Sequence, residues 1–242
     1  MTTLTRIIVT SIISLLMLSC NFSMNFGQGI DGNREVITEE RTISNDFNEI
    51  KISQGLDLYI TQSNNVNLSV EADANLQDLI MTDVENNILR IYSTQNIRSA
   101  SSKKIRLNLK DISVIKATSG SDVYSTNTIE VDKLELNTTS GSDITLDVKT
   151  LTLYCNSTSG SDIKISGTTK ALTASATSGS DIDASNLLAE TSDVKATSGA
   201  DIFVNTTKAL TAKATSGGDI KYYGNPEKVE KTDTSAGSVK QQ

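Results

Sequence analysis

Histidine is absent from this chain, and so is tryptophan. Without His there is no ordinary general base at neutral pH, and the commonest zinc ligand is missing. Ser-His-Asp and Cys-His machinery is excluded outright. Aromatic residues make up 4% of the 242, which argues against a large aromatic-filled core. Positive charge is also short: 22 Lys and Arg stand against 29 Asp and Glu, a formal net charge of −7. Phosphate binding needs clustered Lys and Arg, so nucleic acid is not an expected partner. Proline occurs once, at Pro226, and cysteine twice, at Cys20 and Cys155. With Cys20 otherwise engaged, as argued next, no intrachain disulfide can form, and stability must come from packing and hydrogen bonds. Cys155 then reads as a small buried hydrophobe.

What is present begins with a targeting signal. Arg6 supplies a positive start, and Ile7 to Leu18 is an apolar stretch broken only by Thr and Ser. It is too short to span a bilayer, which takes about 20 apolar residues. The stretch ends at Met17-Leu18-Ser19-Cys20. A small residue before Cys, directly after the apolar stretch, resembles the bacterial lipobox, with Met17 where Leu is usual. That resemblance implies cleavage before Cys20 and acylation of it. The expected organisation is a signal peptide over 1–19, a lipidated tether over 20–41, a β domain over 42–224 and a polar tail over 225–242, which reads as a frayed end or as a polar cap over the last rung. The membrane is then a partner through the N-terminal lipid, and the location a cell envelope, with the outer membrane of a Gram-negative bacterium as the expected site.

Thr, Ser, Asn and Asp are abundant, as in an all-β chain with many turns. Strand-like runs occur at 49–52, 56–61, 66–71, 88–92 and 105–109, and 76–84 reads as a short helix. From there an internal repeat takes over. Thr118-Ser-Gly-Ser-Asp122 recurs at 139–143, 158–162 and 177–181, then as Thr197-Ser-Gly-Ala-Asp201 and Thr215-Ser-Gly-Gly-Asp219. A worn copy spans 234–238.

Each repeat alternates. Leu134, Leu136, Thr138, Ser140, Ser142, Ile144, Leu146 and Val148 share one parity; polar residues hold the other. Period 2 with one apolar side is the pattern of a sheet with one buried face. Units of about 20 residues with this pattern predict an all-β fold: a parallel β-helix, or β-solenoid, with an irregular β N-terminal portion. Each rung would stack on the last at about 4.8 Å. The repeated Gly120, Gly141, Gly160, Gly179, Gly199 and Gly217 mark a corner that needs positive φ. The parity could slip there, so the inward placement of the Ser pair is less secure than that of Leu and Ile.

The stretch Phe47 to Gln62, with 66–71, Asn86 to Tyr92 and the Thr-Ser-Gly-Ser-Asp units, resembles bacterial lipoproteins and secreted proteins of the "putative auto-transporter adhesin" family with a head GIN domain. The family's Gly-Ile-Asn stands here as Gly55-Leu56-Asp57. The resemblance implies a β-helix-like fold and an envelope location, and it brings no catalytic residues.

One constellation could carry chemistry. Asp122, Asp143, Asp162, Asp181, Asp201 and Asp219 share a parity beside the corner, so stacking would align them. Carboxylates one rung apart repel by about 0.9 kcal/mol in water. Hydrogen bonds from turn N–H and hydroxyl groups could offset this; so could Ca²⁺, although one Asp per rung is a thin supply for an ion wanting six to eight oxygens. Enzymatic use is disfavoured because repeat symmetry gives no reason for two pKa values to diverge. Tyr124, Tyr154, Phe203 and Tyr223 fall on the outward parity, where packing between rungs is the simpler reading than a sugar platform. The function expected is therefore non-catalytic: an adhesin or ligand-binding surface for a glycan or protein. The alternatives are an assembly role through the solenoid ends and a Ca²⁺-binding ladder.

Overall fold

Alternation forces the chain to extend, and a short turn once per unit makes it coil. The computed structural model describes residues 29–234 and 236–242. Cys20 and the signal segment lie outside these residues. The regular body consists of β10 (Val114–Thr118), β11 (Asp122–Ser125), β12 (Ile129–Thr139), β13 (Asp143–Thr158), β14 (Asp162–Thr177), β15 (Asp181–Thr197), β16 (Asp201–Thr215) and β17 (Asp219–Tyr223). Successive rungs pair in parallel, so the expected β-solenoid is what the chain forms.

Identical positions fall above one another. Ile115, Leu136, Cys155, Ala174, Val194 and Ala212 form one inward column, and all six are buried. Cys155 is a core member with a free thiol, and burial pushes its pKa up to about 12, so it is inert. No rung can hide its apolar side alone; stacking does that. Repeat length varies, yet register is kept at the Asp corner. The shifts fall elsewhere, between Lys164 and Ser166 on β14 and between Ala184 and Thr191 on β15.

The N-terminal part departs from sequence order. It contains β1 (Ile30–Asp31), β2 (Val36–Arg41), β3 (Glu49–Ile52), β4 (Asp57–Gln62), β5 (Asn67–Asp73), β6 (Ile80–Glu85), β7 (Ile88–Ser93), β8 (Ile97–Ser99) and β9 (Lys103–Leu109). β3 and β4 make a further rung, paired with β10 and β11 on one side and with β7 and β9 on the other. The chain therefore leaves the stack after β4, builds the rung beyond, and returns at β10. Antiparallel pairs β2–β5, β5–β9 and β6–β7 fold over this end.

Two expectations need correction here. The tether does not extend to residue 41: β1 pairs with β8 and β2 with β5, because the alternating Val36, Thr38 and Glu40 against Ile37, Glu39 and Arg41 suit an edge strand. The helix expected over 76–84 is a 3-10 helix at Ala74–Leu79 followed by β6. Its short apolar spacing was satisfied by burying Leu76 under the cap and by pairing Ile80 with Ser93. The polar tail over 225–242 caps the last repeat: β18 (Lys228–Thr234) and β19 (Ser238–Gln241) form a final rung on β16 and β17. In that rung the inward columns of Ala212 and Ala214 end in Lys231 and Asp233. Lys231 sits 4.8 Å from the centroid of the Tyr222 ring. Inward charge on an open strand edge opposes further pairing, which weighs against end-to-end assembly at this end.

Candidate functional site

The repeated corner turns on two residues, not one. Ser140 and Gly141 have φ of 60° and 69°, and the other five copies are alike, from Ser119 and Gly120 to Ser216 and Gly217. Two successive residues with positive φ make the corner tight, and the second of them is Gly in every copy. The N–H of Gly141 donates to Ser159 O of the next rung at 3.3 Å, so the ladder runs through the corner. The Ser before Gly points outward at the tip, which corrects the inward placement of Ser140, Ser159, Ser178 and Ser216. The Ser after Gly is the buried one. Ser142 Oγ donates to Ala117 O at 2.8 Å and accepts from Thr139 N–H at 3.2 Å, tying the turn to the rung below.

The Asp residues stack as expected, and Asp57 joins them. Asp57 pairs in register with Asp122, and the series continues through Asp143, Asp162, Asp181, Asp201 and Asp219. Gly55-Leu56-Asp57 is therefore the same corner, with Gln54 and Gly55 at φ 67° and 69°. A Gly followed two residues later by Asp was the sequence signal for it. The carboxylates are partly satisfied by backbone: Asp162 N–H donates to Asp143 Oδ1, Asp181 N–H to Asp162 Oδ1, and Asp201 N–H to Asp181 Oδ1, each at 3.2 Å. Burial raises the pKa values of Asp122, Asp143, Asp162 and Asp201, and the neighbouring ladder Asp adds to each. Asp57 is raised by burial and opposed by Lys103 and Lys104. All five move the same way for the same leading reason. Among the described residues, no group of three or more His, Cys, Asp or Glu gathers as a metal site would require.

These raised values mean that burial, with the neighbouring carboxylate added, disfavours the ionised ladder. A carboxyl with a raised folded pKa contributes stability below its unfolded value, near 3.8, and loses it as pH rises through the folded value. The double variant Asp143→Asn and Asp162→Asn keeps an Oδ1 acceptor for the next N–H but removes the charge. It should be more stable than the parent at pH 7 by about 1 kcal/mol, after allowing for solvent screening. The difference should shrink as pH falls toward 3.8. Urea melts at both pH values test this; a less stable variant at pH 7 would mean the charged hydrogen bonds outweigh the repulsion.

Aromatic side chains pack between rungs. Tyr59 and Tyr124 stack at 5.2 Å, with Arg106 over Tyr59 at 5.5 Å. Lys133 covers Tyr154 and Lys221 covers Phe203. Tyr154, Phe203 and Tyr223 stand in separate columns and form no shared platform.

A groove that sequence reasoning missed crosses the outer face of β7, β3, β10, β12, β13 and β14. It encloses about 870 Å³. Arg90, Lys51, Lys116, Asn137, Asn156 and Ser175 form its central column in register. Thr118, Thr139, Thr158 and Thr177 run beside it, and Tyr92, Asp83 and Glu85 wall the β6–β7 end. Glu49 accepts from Lys116 at 2.9 Å and lies 3.4 Å from Lys51, offsetting their stacked charge. Tyr92 OH donates to Asp83 at 3.1 Å, which holds the ring.

Fold and surface together define a parallel β-solenoid with repeated polar faces and a long groove across its outer surface. The chain belongs to the family described as "putative auto-transporter adhesin, head GIN domain", whose model matches residues 46–226. It is similar to a solved putative adhesin from Bacteroides fragilis NCTC 9343, with a TM-score of 0.81 at 23% identity, covering 88% of this chain and 100% of that one. A putative lipid binding protein from Parabacteroides distasonis ATCC 8503 gives 0.73 at 24% identity over 89% and 100%. A putative adhesin from Parabacteroides merdae ATCC 43184 gives 0.72 at 20% over 88% and 99%. At these identities the likeness establishes the fold. A search of curated proteins finds no match.

Proposed function

We propose that this protein is a non-catalytic adhesive or ligand-binding scaffold of the bacterial envelope, held to a membrane by acylated Cys20. The observation that carries the reading is the register of the stack: each rung presents the same outward positions as the last, which makes a long, rigid, repeating surface. Extended solenoid surfaces suit recognition of extended partners. The family description and the names of the structural neighbours point the same way. Asp57, Asp122, Asp143, Asp162 and Asp201 are all raised, with burial as the leading cause, so no acid–base split arises among them.

Beads coated with the mature chain should adhere to host cells or to a glycan-bearing matrix, and bare beads should not. Equal adhesion would refute the reading. The anchor is tested apart: Cys20→Ala should abolish labelled-palmitate incorporation and release the protein from the membrane fraction. Unchanged incorporation would remove Cys20 from that role. Multiple acyl chains give stable anchoring at about 0.8 kcal/mol per buried methylene.

A further inference from the structure

The outer groove identifies a ligand class. We propose that it binds a linear, neutral polysaccharide laid along the solenoid axis, across the strands; this rests on the adhesive-surface reading and names its partner. Five strand-to-strand steps separate β7 from β14, so the groove floor runs for about 24 Å. Every floor strand is already paired on both sides. No strand edge is available along it, so a peptide cannot bind there by adding a strand. The floor instead offers side chains: Asn137 and Asn156 one rung apart, with a Thr hydroxyl beside each.

Asn156 Nδ2 donates to Asn137 Oδ1 at 3.2 Å, and Asn137 Nδ2 donates to Glu135 at 3.0 Å. An amide carries two N–H donors, so each retains one for a ligand, and Asn156 retains its carbonyl. A donor and acceptor set repeating at the rung spacing matches a chain that is itself repeating and rich in hydroxyls. The charged lining is close to balanced, with Lys51, Arg90 and Lys116 set against Asp83 and Glu85 and with Glu49 beneath the lysines. That balance disfavours a polyanion. At the walled end, Tyr92 is half-buried and fixed by Asp83, so its ring face can take the apolar face of a terminal sugar. The volume of about 870 Å³ lies within the range of small-ligand sites.

The test is titration calorimetry of the mature chain against cellulose-, xylan-, mannan- and chitin-type oligosaccharides of increasing length, with polygalacturonate as the anionic member. At least one neutral series should bind, tightening with length until the groove is filled. The double variant Asn137→Ala and Asn156→Ala, both on the outer face, should fold as the parent does and weaken binding by about tenfold or more. Tyr92→Ala should weaken it as well. No binding by any neutral series, binding by polygalacturonate alone, or binding unchanged in the double variant would each overturn the assignment. Bead adhesion retained by the double variant would overturn the groove while leaving the adhesive surface standing; parent-coated beads adhering no better than bare beads would remove the broader reading.

Discussion

Gly167→Ala is expected to destabilise the protein by about 2 to 5 kcal/mol, from backbone strain together with steric overlap. Gly167 has a φ of 105°, where side chains are rarely tolerated, and a Cβ there would stand 2.0 Å from Val148 O in the rung below. That neighbour is backbone held in the ladder, so it cannot step aside. The comparison that isolates the close approach is Gly141→Ala. Gly141 also has positive φ, at 69°, but nothing lies within 4 Å of the added carbon. Its cost should be the left-handed penalty alone, about 1 to 2 kcal/mol. Thermal melts of the two variants decide the matter. Equal losses would show that β13 and β14 are not in the tight contact described.

Leu153→Ala should cost about 2 to 5 kcal/mol, the range for emptying a buried Leu site. Leu153 is fully buried between Leu134 below and Leu172 above. Its loss opens a hole at the middle of the stack, where both neighbouring interfaces weaken. In a solenoid each rung touches only its neighbours, so damage at the centre should also broaden the unfolding transition. Val239 belongs to the last rung and is 7% exposed, with no rung above it among the described residues. Val239→Ala should lower stability by only about 1 kcal/mol and leave the transition sharp. Denaturant melts showing the same loss for both would contradict a stack stabilised rung by rung.

The repeat made the β-solenoid legible because stacking acts on matched residues. A column such as Leu134, Leu153 and Leu172 is visible in sequence once the spacing is known. The Asp ladder followed from the same spacing. Its first member, Asp57, did not, since Gln54 and Leu56 replace the Ser residues that mark the other corners. The excursion of β5 to β9 was equally hidden. Nothing in 63–109 states that β3 and β4 sit between β7 and β9 on one side and β10 and β11 on the other.

The alternation, the corner glycines and the small inward residues were enough by themselves to determine a narrow parallel coil, because each acts within a rung or between adjacent rungs. Only the tertiary structure decided where the coil begins and what its outer face can hold. The groove joins Asp83, Arg90 and Tyr92 to Asn137 and Asn156, residues far apart along the chain. Their proximity depends on a strand returning out of order, and no local preference of the chain encodes that return.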